Sequence, residues 1–377
     1  MADTSPALTY ASYLALEEVL GAQRPKTDEH DEMLFIVIHQ VYELWFKQLI
    51  HELVHLQERL EAGEGPRALA TVRRVLTILK TVVAQIDVLE TMTPSQFSSF
   101  RMRLESASGF QSAQFRELEA ILGRRDAGAL DEVLGAQRPK TDEHDELLFI
   151  VIHQVYELWF KQLIHELVHL QQRFEAGEGP RALATVRRVL TILKTVGAQS
   201  DVLETMTPSQ FASFRARLDS ASGFQSAQFR ELEAVLGRRD EAALDAYEPS
   251  SPLRAQIAAA MGRRSVFDSF VRYLATQGLD VPASALDRDV TLPPEPNEGL
   301  QAAILKAYRL DGEAAQVAER LVDLDEGIQE WRYRHVKMVE RTIGDKAGTG
   351  GSSGAEYLRT TLFRPMVPDL WAVRSAL

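Results

Sequence analysis

Histidine is the residue type best suited to chemistry in this chain, and eight of the nine histidines occur in pairs 114 residues apart. The pairs are His30/His144, His39/His153, His51/His165 and His55/His169. Only His335 is single, so a role that needs one histidine per molecule outside the paired positions falls to it. The chain has no cysteine, which excludes thiolate metal sites, iron–sulfur clusters and cysteine nucleophiles. Any metal must therefore be held by histidine or carboxylate.

One histidine pattern has the spacing of a zinc protease. His51-Glu52-Leu53-Val54-His55, repeated at 165–169, would place two imidazoles on one helix face with a glutamate to activate water. No third-ligand arrangement or secretory context accompanies it. A solvated helix face rich in His and Glu explains the pattern as well, and we favour that interpretation over a zinc hydrolase.

A second histidine follows a phenylalanine by one helical turn within an apolar stretch. Phe35 and His39 form this pair, with the copies Phe149 and His153. Burying a histidine among aliphatic residues costs free energy unless the ring has a partner. The ring is therefore either a satisfied core histidine or a pocket histidine, and the spacing alone favours the core.

Two further positions allow a polar role. Arg101 and Arg215 each follow a phenylalanine in Ser-Phe-Arg, where an arginine either packs its stem at the surface or clamps a carboxylate. The loop 348–354 is rich in glycine but lacks the Lys-Ser/Thr ending of a phosphate-binding loop, so conformational freedom is its better explanation.

These residues lie in a segment that is written twice. Residues 17–130 and 131–244 are the same 114-residue sequence with 12 substitutions and no linker between the copies, called copy 1 and copy 2 below. Solenoid repeats are shorter, about 20–50 residues, and diverge further, so this is a recent tandem duplication. Removal of one copy leaves 263 residues, an ordinary length for a catalytic domain.

Helical periodicity dominates each copy. Apolar residues recur at three- and four-residue spacing from Asp31 to Leu60, and Thr93-Pro94 has the composition of a helix start. No run shows the alternation of a strand, so we predict an all-α fold with three or four helices per copy. In the tail we predict extended loops over 246–256 and 279–297, and helices over 266–277, 300–309 and 312–343.

Composition limits the partners. A net charge of −12 and a pI near 5.3 argue against binding to a phosphate backbone. The N-terminus has neither a basic region nor an apolar stretch, and no apolar run approaches the roughly 18 residues that a membrane span needs. We expect a cytoplasmic protein that binds neither nucleic acid nor membrane.

Read together, several stretches resemble the tryptophan 2,3-dioxygenase family. They are Leu8 to Leu14, His30 to Lys47, Phe97 to Arg101, Ser108 to Ser112, His335 with Val339 to Gly344, Gly348 to Gly354, and Pro368 to Trp371. They span nearly the whole chain, and several are long enough to be specific.

The resemblance implies an all-α haem-binding bundle that uses O₂ to open the indole ring of L-tryptophan, giving N-formyl-L-kynurenine. It implies haem b with His335 as the iron ligand, and His39 or His153 at the indole N–H. It implies that the substrate is lined by Phe35 and Phe97 or by Phe149 and Phe211, and that its carboxylate is held by Arg101 or Arg215 with help from Thr349. Tyr10, Tyr13 and Leu14 would reach into the pocket of a neighbouring subunit of a homotetramer.

The duplication leaves two distal faces for one His335. We divide the chain into an N-terminal arm (1–16), copy 1 (17–130), copy 2 (131–244) and a C-terminal segment (245–377). The shorter connection from copy 2 to His335 favours copy 2. The arm adjoins copy 1, and Gly197 and Ser200 in place of Val83 and Ile86 indicate relaxed constraint in copy 2, because glycine costs a helix interior about 1 kcal/mol. The choice stays open, with copy 2 preferred.

Two alternatives remain besides the zinc hydrolase. A related haem enzyme would act on another indole, and a catalytically silent helical oligomer would have lost haem through the duplication. A haem absorption band separates the first of these from the second.

Overall fold

The computed structural model describes residues 8–104, 112–122, 137–218, 223–344, 346 and 354–377. Within these ranges every regular element is a helix, which confirms the predicted all-α class. The arm and copy 1 contain α1 (Tyr10–Tyr13), α2 (Leu16–Gly21), α3 (His30–Glu61), α4 (Gly65–Ala84), α5 (Ile86–Leu89), α6 (Pro94–Arg101) and α7 (Ala113–Ile121). Copy 2 contains α8 (His144–Glu175), α9 (Gly179–Ala198), α10 (Ser200–Leu203), α11 (Pro208–Arg215) and α12 (Ala227–Val235).

The tail continues the helical pattern. It contains α13 (Pro252–Met261), α14 (Val266–Thr276), α15 (Ala283–Leu286), α16 (Glu298–Leu310), α17 (Glu313–Ile343), α18 (Ala355–Arg359) and α19 (Pro368–Ala372). Short 3₁₀ turns cover Gly223–Gln225, Glu241–Ala246 and Val373–Ala376. The predicted helices over 266–277, 300–309 and 312–343 therefore agree with the structure to within two residues at each end.

The predicted extended loop over 246–256 is wrong in its second half, because α13 begins at Pro252. The Ser251 side chain accepts a hydrogen bond from the backbone N–H of Leu253, and Pro252 occupies the first helical position. Ser-Pro is a helix start signal, since proline lacks the N–H that the first turn leaves unused. The predicted loop over 279–297 likewise contains the short helix α15.

The start of α6 follows from local sequence. Thr93 caps the helix, its hydroxyl accepting from the N–H of Gln96 while the Gln96 side chain accepts from the Thr93 N–H. Thr207 and Gln210 repeat this reciprocal capping at α11. Two unsatisfied backbone groups are bonded at each start, so both copies begin the helix that carries the Ser-Phe-Arg motif at the same residue.

The chain divides into two compact units. The first contains Met1–Gln162, Thr195–Gly223 and His335–Ala355, and the second contains Leu163–Lys194, Phe224–Arg334 and Glu356–Leu377. In the first unit α3 packs against α4, α6 and α7. It buries Leu34, Ile38 and Trp45, which lie at the helical spacing seen in the sequence.

In the second unit the tail packs on the end of copy 2. The ring of Phe174 lies 6.0 Å from Phe270 and 5.5 Å from Tyr273 and is fully buried. The approach of α17 to α9 is close, since a Cβ on Gly327 would lie 2.8 Å from the Leu193 side chain. The copy 1 counterpart of Phe174, Leu60, is 60% exposed.

Among the described residues one helix, α8, is long and apolar enough to cross a membrane by length and composition. Its most apolar window has a mean hydropathy of 1.3, and 72% of that window is buried inside the protein. A core helix passes the same test, so this helix is weak support for a membrane span.

Candidate active site

An aromatic cluster forms where α8 meets α11 in the first unit. Phe149 and His153 lie one turn apart on α8, with ring centroids 4.2 Å apart. Phe211 and Phe214 of α11 place their rings 5.6 and 5.7 Å from that of Phe149. The structure thus brings together Phe149 and Phe211, the two residues that the resemblance assigns to the lining of the substrate.

The geometry of His153 fixes its tautomer. Its Nδ1 lies 2.6 Å from the carbonyl oxygen of Phe149, and a carbonyl can only accept, so Nδ1 carries the proton. Burial lowers the pKa of His153 to about 4, although the same hydrogen bond favours the charged form. At neutral pH the ring is therefore uncharged, and its Nε2 is an acceptor.

His335 lies on the last part of α17, in the same unit as His153. Burial lowers its pKa to about 4, and a positive charge on His153 would lower it further. The two imidazoles are thus close enough to interact electrostatically. A neutral imidazole is the form that binds a metal, so His335 is in the protonation state that a haem iron requires.

The N-terminal arm covers this cluster. The ring centroid of Tyr10 lies 6.0 Å from that of His153, edge to face, and the Tyr13 ring lies 6.4 Å from Phe149. Leu14 is fully buried, and its carbonyl accepts a 2.8 Å hydrogen bond from Nε2 of Gln154.

Two buried carboxylates accept hydrogen bonds from the tyrosines of the arm. The hydroxyl of Tyr10 donates to Glu157 at 3.2 Å, and that of Tyr13 donates to Glu146 at 2.8 Å. Both glutamates are fully buried. Neither was assigned a role from the sequence, although the counterparts Glu32 and Glu43 lie within the His30–Lys47 stretch that carries the family resemblance.

The arm thus lies on copy 2 of its own chain, whereas the resemblance placed it in a neighbouring subunit's pocket. The arm precedes copy 1 in the sequence, yet its tyrosine rings pack against copy 2. Adjacency along the chain does not determine contact, because the turn after α1, where Ala15 has φ +48°, redirects the chain.

Copy 1 has the same aromatic cluster without the same enclosure. The Phe35 ring lies 4.2 Å from His39, 5.7 Å from Phe97 and 5.6 Å from Phe100. Arg101 is exposed, with its guanidinium 5.8 Å from the Phe97 ring centroid. Local sequence therefore builds the cluster twice, and long-range packing distinguishes the copies.

Equivalent residues of α8 in copy 2 and α3 in copy 1 differ in burial. Tyr156, Glu157 and Phe160 of copy 2 are buried. Their counterparts Tyr42, Glu43 and Phe46 in copy 1 are only partly buried. Arg215 of copy 2, at the end of α11, is partly buried, whereas its counterpart Arg101 in copy 1 is exposed.

Ser200 has a specific partner in copy 2. Its hydroxyl lies 3.2 Å from that of Tyr156, and both residues are buried. The ring of Tyr156 lies 6.4 Å from that of His153. The copy 1 counterpart, Ile86, is 46% exposed. Ser200 is therefore half of a buried hydrogen bond in copy 2, and its difference from Ile86 was the signal for it in the sequence.

The zinc-protease pattern of copy 1 lies in a different environment. His51 and His55 stack on His144, with ring centroids 4.0 and 3.8 Å apart. Glu52 is fully buried, accepts from Arg74 at 3.1 Å and lies 3.1 Å from Nε2 of His144. Across the described part of the chain, no group of three or more His, Cys, Asp or Glu residues is arranged to hold a metal ion.

One predicted site residue is not placed. Thr349, with the rest of the loop from 347 to 353, lies outside the described residues.

Comparison with known proteins reflects the same duplication. The profile of the tryptophan 2,3-dioxygenase family matches residues 1–129, 126–249 and 298–377. The chain belongs to the tryptophan 2,3-dioxygenase family. The family profile matches the duplicated segment twice and the C-terminal segment once.

Individual members of the tryptophan 2,3-dioxygenase family are highly similar. The enzyme of Anaeromyxobacter sp. (strain K) is 68% identical over 249 residues, which are 66% of this chain and 94% of that protein. That of Anaeromyxobacter dehalogenans (strain 2CP-C) is 67% identical with the same coverage. That of Herpetosiphon aurantiacus is 52% identical over 250 residues, 66% of this chain and 95% of the relative. The matched lengths are close to the 263 residues that remain without one copy.

The tryptophan 2,3-dioxygenase family is haem-dependent. The residues present fit a haem, because the imidazoles of His335 and His153 lie in the same unit, keep part of their surface accessible and are neutral at pH 7. Histidine is a common axial ligand of haem iron.

Proposed function

We propose that this chain is a haem-dependent tryptophan 2,3-dioxygenase whose single working site is built on copy 2. The observation that carries the proposal is that the arm packs on the His153 cluster, with the Tyr10 and His153 rings 6.0 Å apart, in the same unit that contains His335. The reaction breaks the C2–C3 bond of L-tryptophan's indole and gives each carbon one oxygen atom of O₂. No external reductant is consumed, and the product is N-formyl-L-kynurenine.

Haem b would be held by His335, and when bound it supplies the iron that binds and activates O₂. The position of His335 on a long helix supports this role, since a rigid element holds a ligand in a fixed direction. A burial-lowered pKa near 4 keeps the imidazole unprotonated and able to bind iron over the physiological range.

His153 orients the indole. Its Nδ1–H is committed to the Phe149 carbonyl, which leaves Nε2 to accept the indole N–H. Phe149 and Phe211 provide the aromatic wall, and Tyr10, Tyr13 and Leu14 exclude water from the other side. The corresponding residues of copy 1, His39, Phe35 and Phe97, take no part in turnover in this proposal.

Arg215 is the proposed carboxylate clamp, assisted by Thr349. A guanidinium binds a carboxylate through two parallel hydrogen bonds, which fixes the direction of the amino acid as well as its charge. Arg215 follows Phe214 and lies one turn after Phe211, so α11 carries both the aromatic wall and the cation. The equivalent Arg101 in copy 1 faces solvent.

The remaining expectations concern the cellular setting. We propose a cytoplasmic enzyme without nucleic-acid or membrane partners, supported by the net charge of −12 and by the burial of its one strongly apolar helix. Assembly into a homo-oligomer, a tetramer by resemblance, is part of the same proposal.

The test measures haem and product together. Purified wild-type protein reconstituted with haem should show a Soret band at one haem per chain and should convert L-tryptophan and O₂ to N-formyl-L-kynurenine. His335→Ala should lose stoichiometric haem, and His51→Ala, which changes a histidine of the other cluster, should retain it.

The opposite results for these two variants would overturn the assignment of His335. Absence of haem binding by the wild type would favour the silent oligomer. Turnover of another indole in preference to L-tryptophan would favour the related haem enzyme.

A further inference from the structure

We infer that copy 1 serves, inside the same chain, as the second subunit that completes the copy 2 site, with the N-terminal arm donated in cis. The contact between the copies is in this sense a dimer interface between two halves of one chain. The inference rests on the proposed function only for the activity of the completed site. The contacts that carry it are independent of any reaction.

A relay of hydrogen bonds joins copy 1 to copy 2. Nζ of Lys47 in copy 1 donates to Oε1 of Gln137 in copy 2 at 2.6 Å. Nε2 of Gln137 then donates to Oε1 of Gln154 at 2.7 Å. Gln137 and Gln154 are both buried, so the relay belongs to the interior of the first unit.

The same relay runs in the reverse direction. Nζ of Lys161 in copy 2 donates to Oε1 of Gln23 in copy 1 at 2.6 Å, and Nε2 of Gln23 donates to Oε1 of Gln40 at 2.5 Å. Each residue lies 114 positions from its counterpart in the first relay. Reciprocal use of the same residues by both partners defines an isologous, two-fold interface.

A buried ionic cluster lies at the same interface. Arg74 of copy 1 contacts Asp145 of copy 2 at 2.5 Å and Glu52 of its own copy at 3.1 Å. All three side chains are nearly inaccessible, so this interface resembles a core rather than an incidental surface contact. By sequence, copy 1 also carries Asp31 and copy 2 also carries Arg188, so each copy bears both halves of this cluster.

The self-complementary surface explains where the arm lies. In a two-fold pair, a segment that leaves one half across the interface packs on the other half. Here the N-terminal arm, which precedes copy 1, packs on copy 2 in this way. Gln154 ends the first relay and also donates to the carbonyl of Leu14, which connects the interface to the arm.

Only copy 2 can receive an aromatic arm from the segment that precedes the other copy. The segment before copy 2 carries Arg124, Ala127 and Gly128 at the positions equivalent to Tyr10, Tyr13 and Leu14. By sequence, residues 123–136 include no aromatic residue, and the single His335 is in the same unit as His153. Duplication therefore converts two equivalent half-sites into one complete site and one supporting copy.

The physical consequence is a change in concentration dependence. A chain with one copy must recruit the second half of such an interface from another molecule, whereas here both halves are covalently linked at a high effective concentration. Completion of the site should therefore not depend on association of chains.

Cross-linking tests the cis arrangement without any need for haem or turnover. Glu18, just after the arm, and Arg138 of copy 2 form an exposed ion pair at 3.2 Å. Because the chain has no cysteine, Glu18→Cys with Arg138→Cys creates the only two thiols. Loss of an exposed pair costs little stability, and the single variants Glu18→Cys and Arg138→Cys are the controls.

A short bismaleimide should link the two thiols within one chain, giving a chain-length band with both cysteines blocked at any protein concentration. Covalent dimers in excess of the single-cysteine controls, or no linkage at all, would overturn the inference. An internal cross-link in a protein that fails to oxidise tryptophan would refute the proposed function and leave the cis arrangement standing.

Mixing of variants adds a functional readout. Tyr10→Ala with Tyr13→Ala disables the arm, and His335→Ala disables haem retention. Chains of the two kinds, co-expressed with different tags, should show no activity beyond the sum of the separate proteins. Recovery of activity in the mixture would mean that an intact arm reaches a second chain, and the inference would fall.

Discussion

The hydroxyl of Tyr13 donates a 2.8 Å hydrogen bond to the carboxylate of Glu146, 133 residues later in the chain. The same carboxylate accepts from the backbone N–H groups of Lys140 and Thr141, each at 2.8 Å. Burial and the adjacent carboxylate raise the pKa of Tyr13, so its hydroxyl remains a donor at any physiological pH. This bond ties the arm to the first turn of α8.

Tyr13→Phe should therefore destabilise the protein by about 1 kcal/mol and raise the KM for tryptophan, because the arm is held less firmly. Urea unfolding and steady-state kinetics measure the two effects. The stability cost should vanish in a Glu146→Ala background, which removes the acceptor, and persist in a Glu32→Ala background. Glu32 has the same local bonds to residues 26 and 27. Equal costs in both backgrounds would show that the Tyr13–Glu146 bond contributes nothing.

The two copies offer matched active-site variants. His153→Ala and Arg215→Ala should each lower kcat/KM far more than His39→Ala and Arg101→Ala, although each pair has nearly identical local sequence. For Arg215 the loss should reach about 100-fold or more, since a buried carboxylate left without its cation costs about 3–5 kcal/mol.

Tryptamine, which lacks the carboxylate, should be a much poorer substrate than L-tryptophan for the wild type. Arg215→Ala should turn over tryptamine as slowly as the wild type does. Comparable turnover of the two compounds by the wild type would refute the clamp. A larger loss from the His39 and Arg101 variants would move the working site to copy 1.

Acid should weaken the histidine cluster between the copies. Burial lowers the pKa of both His51 and His55, and a charge on His144 would lower each further. Nε2 of His55 also accepts a 3.2 Å hydrogen bond from Arg59, which a protonated ring could not do. Glu52 opposes the shift but does not reverse it.

Since both folded-state pKa values lie below the unfolded value of about 6.5, the unfolded chain binds more protons between them. The stability contribution is therefore complete above about pH 6.5 and decreases as the pH falls below it. Unfolding free energies at about pH 7.5 and 5.5 should differ less in His51→Gln with His55→Gln than in the wild type. An unchanged difference would exclude these two rings as its source.

Exchange of the residues at 86 and 200 separates the environments of the two copies. Ser200→Ile should cost about 1–3 kcal/mol, because it adds volume in a packed region and removes the partner of the Tyr156 hydroxyl. Ile86→Ser, at a position 46% exposed, should change stability by less than about 0.5 kcal/mol. Thermal unfolding of both variants with haem bound measures the contrast, and equal costs would contradict it.

Local sequence was sufficient for most of the helices. The Thr93 and Thr207 caps and the apolar spacing of α3 depend on residues within one or two turns, and the structure has both. The loop predicted around Pro252 was wrong because local sequence is ambiguous there: Ser-Pro can end a loop or start a helix. In the structure it starts α13, which packs on α12.

The sequence by itself determined that the chain is helical, duplicated and related to the tryptophan 2,3-dioxygenases, because motifs and periodicity are properties of neighbouring residues. It could not determine which copy forms the site, since His39 and His153 have the same neighbours along the chain. Only the tertiary structure places the ring of Tyr10 6.0 Å from that of His153 and brings His335 into the same compact unit as His153. The physical reason is that identical local sequences acquire different burial and partners through contacts with segments that the chain contains only once.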